Sequence, residues 1–145
     1  MKFGLAFASS AGTESDTALE ICQIAEKVGF ESVWGGEHVI FPSSIESKYP
    51  YTSDGKVPAT KDTMIHDPLI WLAYVAAIAP TLRLGTCILI LPQRNPLVLA
   101  KEISSLDYLS GGRVELGIGV GWLKEEFEAL GVPWERRGAR TDEYV

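Results

Sequence analysis

Cysteine and histidine are scarce, with two of each in 145 residues. Cys22, Cys87, His38 and His66 have no metal-ligand spacing among them, so neither a zinc centre nor a disulfide framework is expected. The cysteines fall in a helical and a strand pattern, which predicts two buried free thiols in a reducing, cytoplasmic setting. Basic charge is also short: thirteen Lys and Arg face nineteen Asp and Glu, for a net charge of -6. No basic block or stripe is present to neutralise a phosphate backbone, and nucleic acid is not an expected partner. No stretch approaches the roughly 18 apolar residues of a membrane span. The apolar run after Lys2 is about six residues, short of the roughly 7–15 of a signal-peptide core, and reads as a strand instead. H-E-x-x-H, G-x-S-x-G and a P-loop are all missing, which argues against metal-assisted hydrolysis, acyl transfer and phosphoryl transfer.

The informative stretch runs from Arg83 to Trp122. Arg83 to Leu91 is a continuous apolar run closed by Pro92, the pattern of a strand covered on both faces and hence of a parallel sheet. Asn95 and Pro96 supply an N-cap and a first-turn proline, and Leu97, Ala100, Ile103, Leu106 and Leu109 recur at near-helical spacing. Ser110-Gly111-Gly112 ends that helix. A second short apolar run, Val114 to Ile118, opens into Gly119-Val120-Gly121-Trp122, completing a βαβ unit.

The flanking sequence repeats the alternation. Lys2 to Ala8 predicts a first strand, followed by a loop over 9–15. Thr17 and Glu20 have capping-box spacing for a helix that Gly29 ends. Ser32 to Gly36 predicts a second strand running into Glu37-His38. Residues 39–66 carry turn chemistry throughout, and a loop of that length tends to be a lid or binding loop. Asp67-Pro68 starts a helix that is apolar on nearly every side and stops at Pro80. The segment LKEEFEAL predicts an acidic helix, with Glu125, Glu126 and Glu128 on a solvated face. Asp107 and Arg113 bracket a turn across which they can pair.

Strands alternating with helices define an α/β chain with a parallel sheet. A dinucleotide fold needs G-x-G-x-x-G, and Trp122 stands where the third glycine belongs. The first four βα units of a roughly 250-residue (β/α)8 barrel, an incomplete barrel forming a single domain over 1–145, are the preferred reading. Barrel active sites lie at the carboxyl ends of strands. Position therefore nominates Ser9 and Ser10, Glu37 and His38, the 87–91 segment, and Gly119 to Trp122. His38 is the leading candidate, because an imidazole beside a carboxylate can act as base or hydrogen-bond donor near neutral pH. Capping of the strand is the competing use. For His66, at a helix start, a structural role is expected. The glycines at 117, 119 and 121 either relieve packing or let a flat ring approach backbone.

The ordered motifs GFESVWGGEHV, RLGTCILILPQRNPLVLAKEISSLDYLSGGRVELGIGVGW and EEFEALGVPWERRGARTDEYV span nearly all of the chain beyond residue 28, apart from the 40–82 stretch between the first two. Together they resemble the bacterial luciferase-like flavin and deazaflavin oxidoreductases, most closely the F420-dependent branch. The resemblance implies a (β/α)8 barrel and hydride transfer between coenzyme F420 and a small organic substrate. An FMN-dependent monooxygenase is the nearest alternative. It implies that His38 approaches the reactive edge of the ring and that Cys87-Ile88 is a non-prolyl cis peptide backing it. Gly119, Val120 and Gly121 would line the same pocket. Glu37, Phe41, Tyr49, Tyr51 and Trp122 are the expected substrate or lid residues. Trp122 departs from the carboxylic acid that sugar-phosphate dehydrogenases of the family place there. Family members bind the cofactor phosphate largely through the second half of the barrel, so a homo-oligomer or a missing C-terminal half is the expected complement. A half-barrel acting only as an assembly or binding module is the reading from another class.

Overall fold

Two Asx-Pro pairs set the frame of the outer layer. In a computed structural model describing residues 1–145, Asp67 accepts from the amides of Leu69 and Ile70 at 2.9 and 3.0 Å, capping helix α3 (Pro68–Ile78). Asn95 does the same for Leu97 and Val98 at 3.1 and 3.2 Å, opening helix α4 (Pro96–Ser110). In each, proline occupies a first-turn position whose amide has no intrahelical partner. Helix α4 ends on Gly111, whose φ of 74° is the left-handed conformation a C-terminal glycine adopts freely.

The inner layer is a parallel sheet in the order β1 (Gly4–Leu5), β2 (Ser32–Gly35), β3 (Arg83–Thr86), β5 (Val114–Glu115). Register aligns Leu5 with Val33, Val33 with Leu84, and Leu84 with Val114. That row faces the helices, and alternate residues face the other way. Val33 and Leu84 are fully buried in one core with Ala18, Cys22 and Ala25 of α2 (Ser15–Lys27), Leu72 and Val75 of α3, and Leu99 and Leu106 of α4. α3 lies between α2 and α4 against the sheet, which buries Leu69, Trp71, Leu72 and Val75, while Ile70 and Tyr74 on its outer face stay exposed. On the opposite face the Trp34 indole lies over Gly85, where a Cβ would come within 2.2 Å of the ring. Its Nε1 donates to Ser32 Oγ at 2.9 Å.

The run from Arg83 to Leu91 is interrupted rather than continuous. β3 stops at Thr86, the Cys87-Ile88 peptide is cis, and β4 (Leu89–Ile90) pairs separately with β6 (Ile118–Gly119). Thr86 bridges the break: its Oγ1 donates to the Gly117 carbonyl at 2.7 Å and accepts from the Gly117 amide at 3.0 Å. A 3-10 turn, Leu91–Gln93, then leads to α4. The chain closes with α5 (Lys124–Ala129) and α6 (Arg137–Tyr144).

Four local expectations are corrected. β1 is only two residues long, because the chain turns at Phe7, with a φ of 55°, into a short helix α1 (Ala8–Ala11) where a loop was expected. α2 begins at Ser15, with Glu14 as N-cap and no side-chain bond there, so Thr17 and Glu20 form no capping box. Asp107 and Arg113 do not pair. Asp107 accepts from the Val114 amide at 3.1 Å, while Arg113 donates to the carbonyls of Ala76, Ala79, Leu82 and Ser110 at 2.6 to 2.9 Å. Four carbonyls converge on the guanidinium, three of them from the ends of α3 and α4, where they lack intrahelical partners, and together they satisfy Arg113 without the carboxylate. Finally, only Cys22 is buried; Cys87 is exposed at the strand break.

Candidate functional site

The strand sequence delivers its residues to one end of the sheet. After Gly35 the chain continues through Gly36, whose amide donates to Ser9 Oγ at 3.3 Å, to Glu37 and His38. A Cβ at Gly36 would lie 3.4 Å from the Cys87 carbonyl oxygen and 4.0 Å from the Phe7 ring. A Cβ at Gly119 would lie 2.6 Å from Ile88 Cδ1. Phe7 follows β1, Cys87 and Ile88 follow β3, and Gly36 beyond β2 and Gly119 in β6 approach them, so these residues share the carboxyl ends of the strands. Phe7 is 63% exposed, and Ile88 and Val120 are also open to solvent.

His38 sits in a defined setting. Its Nδ1 is 3.0 Å from Glu126 Oε2, its ring centroid is 4.5 Å from that of Phe41, and Trp122 meets it edge-on at 5.7 Å. Tyr49 in turn packs edge-on against Trp122 at 5.0 Å and against Tyr51 at 5.3 Å. The expected residues His38, Phe41, Tyr49, Tyr51 and Trp122 thus form one aromatic chain. His38 Nε2 has no hydrogen-bond partner within the protein.

Segment 39–66 contains turns but no helix or strand, and α5 fastens it. Glu125 Oε1 accepts from the amides of Glu46 and Ser47 at 2.7 and 2.9 Å, and Ser47 Oγ accepts from the Lys124 amide at 3.1 Å. Desolvation works to raise the Glu125 pKa, but the hydrogen bonds from Ser47 and the neighbouring amides outweigh it and hold the carboxyl down to about 2. Glu126 is fully buried beside Leu123 and Phe127, and its Oε1 accepts from Val39 at 2.6 Å and Ile40 at 3.4 Å. The solvated acidic face expected of this helix is corrected accordingly. The signal was present: Glu126 lies three residues from Leu123 and next to Phe127, on the apolar side of the helix.

Glu37 is displaced from its expected role at the lid. Its side chain is 2% exposed and is ion-paired with Arg94, whose Nε lies 2.8 Å from Glu37 Oε1. The Ile90 amide also donates to it, and Arg94 reaches on to Asp67. Burial pushes the Glu37 carboxyl above its ordinary range, against the opposing charge of Arg94. A carboxylate so engaged holds β2, β4 and α3 together and offers nothing to a substrate. Arg94 gave no warning in the sequence, since the two carboxylates it hydrogen-bonds are 27 and 57 residues away. His66 behaves as expected, with Nε2 2.8 Å from the Thr13 carbonyl.

The glycines of the β6 exit are explained by the protein's own packing. At Gly117 a Cβ would come within 2.2 Å of the Thr86 carbonyl oxygen. Gly121 has a φ of 77°, and a Cβ there would meet Phe127 at 2.7 Å.

A parallel α/β sheet, helices on one face, and candidate residues gathered at the strand carboxyl ends define an incomplete barrel of the (β/α)8 type. The model of the luciferase-like monooxygenase family matches residues 1–145, and the chain belongs to that family. An uncharacterised protein of Mycobacterium tuberculosis is 34% identical over 146 residues, covering 100% of this chain and 51% of its own length. The oxygenase component of a flavin-dependent trigonelline monooxygenase from Acinetobacter baylyi is 30% identical over 115 residues, 79% of this chain and 27% of that one. An F420-dependent secondary alcohol dehydrogenase, solved with an F420-acetone adduct, is similar with a TM-score of 0.68 and 26% identity, over 99% of this chain and 38% of that one. The chain spans about half the length of the curated relatives it matches over its whole extent. No helix is long and apolar enough to cross a membrane.

Proposed function

We propose that this chain forms the ring-binding half of an F420-dependent oxidoreductase, transferring hydride between the deazaflavin and a small organic substrate beneath the 39–66 lid. The observation that carries the reading is the His38 imidazole, with Nε2 unpartnered, two residues beyond Gly36 at the strand end where the exposed Phe7, Cys87 and Ile88 also lie. The deazaflavin would supply a two-electron hydride donor or acceptor. Phe7, Cys87, Ile88 and Val120 would support its ring, with the Gly119 and Gly121 backbone beside them. His38 would exchange a proton with the substrate oxygen or nitrogen through Nε2. Phe41, Tyr49, Tyr51 and Trp122 would exclude water and contact the substrate. The F420-dependent alcohol dehydrogenase relative supports this choice of cofactor.

The second reading, an FMN-dependent monooxygenase, is favoured by the similarity to a flavin-dependent oxygenase. Separate titrations with F420 and FMN, followed by ring absorbance, decide between them. Saturable F420 binding without FMN binding supports the proposal. FMN binding with oxygen uptake in the reduced state supports the alternative. Binding of neither cofactor rejects both for this chain. A mass measurement in solution tests whether a second copy completes the barrel: a dimer that binds cofactor supports completion, and a monomer that binds none supports a non-catalytic binding module.

A further inference from the structure

We infer that Glu126 is a positioning residue that holds His38 as its Nδ1–H tautomer, leaving Nε2 as an acceptor in the candidate site. The inference rests on the proposed role of His38 only for its catalytic meaning; the tautomer itself follows from hydrogen-bond geometry with Glu126 as an ionised carboxylate.

A neutral imidazole carries one N–H, and the hydrogen bond made by one nitrogen determines the state of the other. The two oxygens of Glu126 are not equivalent. Oε1 faces two backbone donors, the amides of Val39 and Ile40. Oε2 faces only His38 Nδ1, at 3.0 Å. A carboxylate accepts and does not donate, so the hydrogen in that contact belongs to Nδ1. The carboxylate is fully buried, as are Leu123 and Phe127 beside it in sequence, and the two amides on Oε1 fix its orientation. Nε2 then presents a lone pair and has no protein partner. A substrate hydroxyl or amine is the kind of group it would accept from.

His66 is an internal reference of opposite sense. Its Nε2 lies 2.8 Å from the Thr13 carbonyl, another pure acceptor, so the proton there sits on Nε2. The chain's two histidines are therefore held as opposite tautomers.

Substituting Glu126→Gln predicts an inversion rather than a simple loss. The two amides of Val39 and Ile40 require an acceptor and select the glutamine carbonyl oxygen. The glutamine NH2 then faces Nδ1 as a donor, which forces Nδ1 to accept and moves the proton to Nε2. The shape of the site is retained while the acceptor facing the substrate becomes a donor, as in the general logic of carboxylate-oriented histidines.

The test is long-range proton-nitrogen NMR of the uniformly labelled 145-residue chain, without cofactor, at a pH well above the ordinary imidazole value of about 6.5. Comparison with a His38→Asn sample assigns the two rings. The expected spectrum shows His38 protonated at Nδ1 and His66 at Nε2 in the unsubstituted chain. In Glu126→Gln the His38 nitrogens exchange resonance positions and those of His66 stay in place. A His38 that is Nε2–H, mixed or doubly protonated in the unsubstituted chain overturns the inference, whether or not the variant folds. A Glu126→Gln spectrum that retains Nδ1–H overturns the role of Glu126. Failure to bind F420 or FMN rejects the functional proposal but leaves this readout unchanged, so the two failures are distinguishable.

Discussion

Glu37 and Arg94 are joined across 57 residues of sequence by an ion pair in which the carboxylate side chain is 2% exposed. The pair ties the exit of β2 to the turn before α4, and through Asp67 to the cap of α3.

Removing the cation alone leaves a buried charge uncompensated. Arg94→Ala is expected to destabilise the fold by about 3–5 kcal/mol, whereas Glu37→Gln with Arg94→Met costs less than that single change. Burial raises the Glu37 pKa in the folded chain. A raised carboxyl contributes stability below its unfolded pKa and loses it as pH rises through the folded one. Without Arg94 the charged form is worse still and the folded pKa rises further, so the deficit of Arg94→Ala deepens as pH rises above the folded Glu37 pKa of the unsubstituted chain. Urea unfolding of the three proteins at several pH values checks this.

Glu125 gives the opposite sign. Its pKa is held down to about 2, so its contribution to attachment of the 39–66 segment is present above the ordinary carboxyl value and lost as pH falls toward 2. Glu125→Ala removes acceptors for the Glu46 and Ser47 amides, a loss of roughly 1–3 kcal/mol in local attachment. Hydrogen exchange should show those two amides opening faster in the variant while the amides of β2 and β3 keep their protection. Equal exchange in both proteins would mean that α5 does not anchor the segment.

Two neighbouring glycines should respond very differently to alanine. At Gly117 the added Cβ meets a backbone carbonyl, Thr86 O, at 2.2 Å, and neither strand can give way without breaking the Thr86 bridge. Gly117→Ala is expected to cost about 3 kcal/mol or more. At Gly119 the obstacle is the tip of Ile88, which can change rotamer. Gly119→Ala should cost about 1 kcal/mol. Thermal or urea unfolding ranks the two, and a reversed order would contradict the close approach at Thr86.

The thiols should separate kinetically. Cys87 is exposed at the strand break, while Cys22 is buried and desolvation pushes its thiol up to about 11. A disulfide reagent at neutral pH is expected to modify one thiol rapidly and the second only on unfolding. Loss of the fast phase in Cys87→Ser assigns it. Saturating F420 should slow that phase if the ring lies over the strand ends, and an unchanged rate would place the ring elsewhere.

Local chemistry determined much of this fold from the sequence alone. Asp67-Pro68, Asn95-Pro96 and Gly111 act through partners only a few residues away, so the starts of α3 and α4 and the end of α4 could be placed before any long-range contact was known. The βα alternation and the ordered motifs carried the family in the same way. Tertiary structure decided what depends on distant partners. Glu37 became internal because Arg94 and the Ile90 amide converge on it, and Arg113 left Asp107 for the free carbonyls at the end of α3. Glu126 met His38 across 88 residues. An ionisable side chain takes its role from whichever counter-charge or donor the fold brings within about 3 Å, and spacing along the chain does not specify that neighbour.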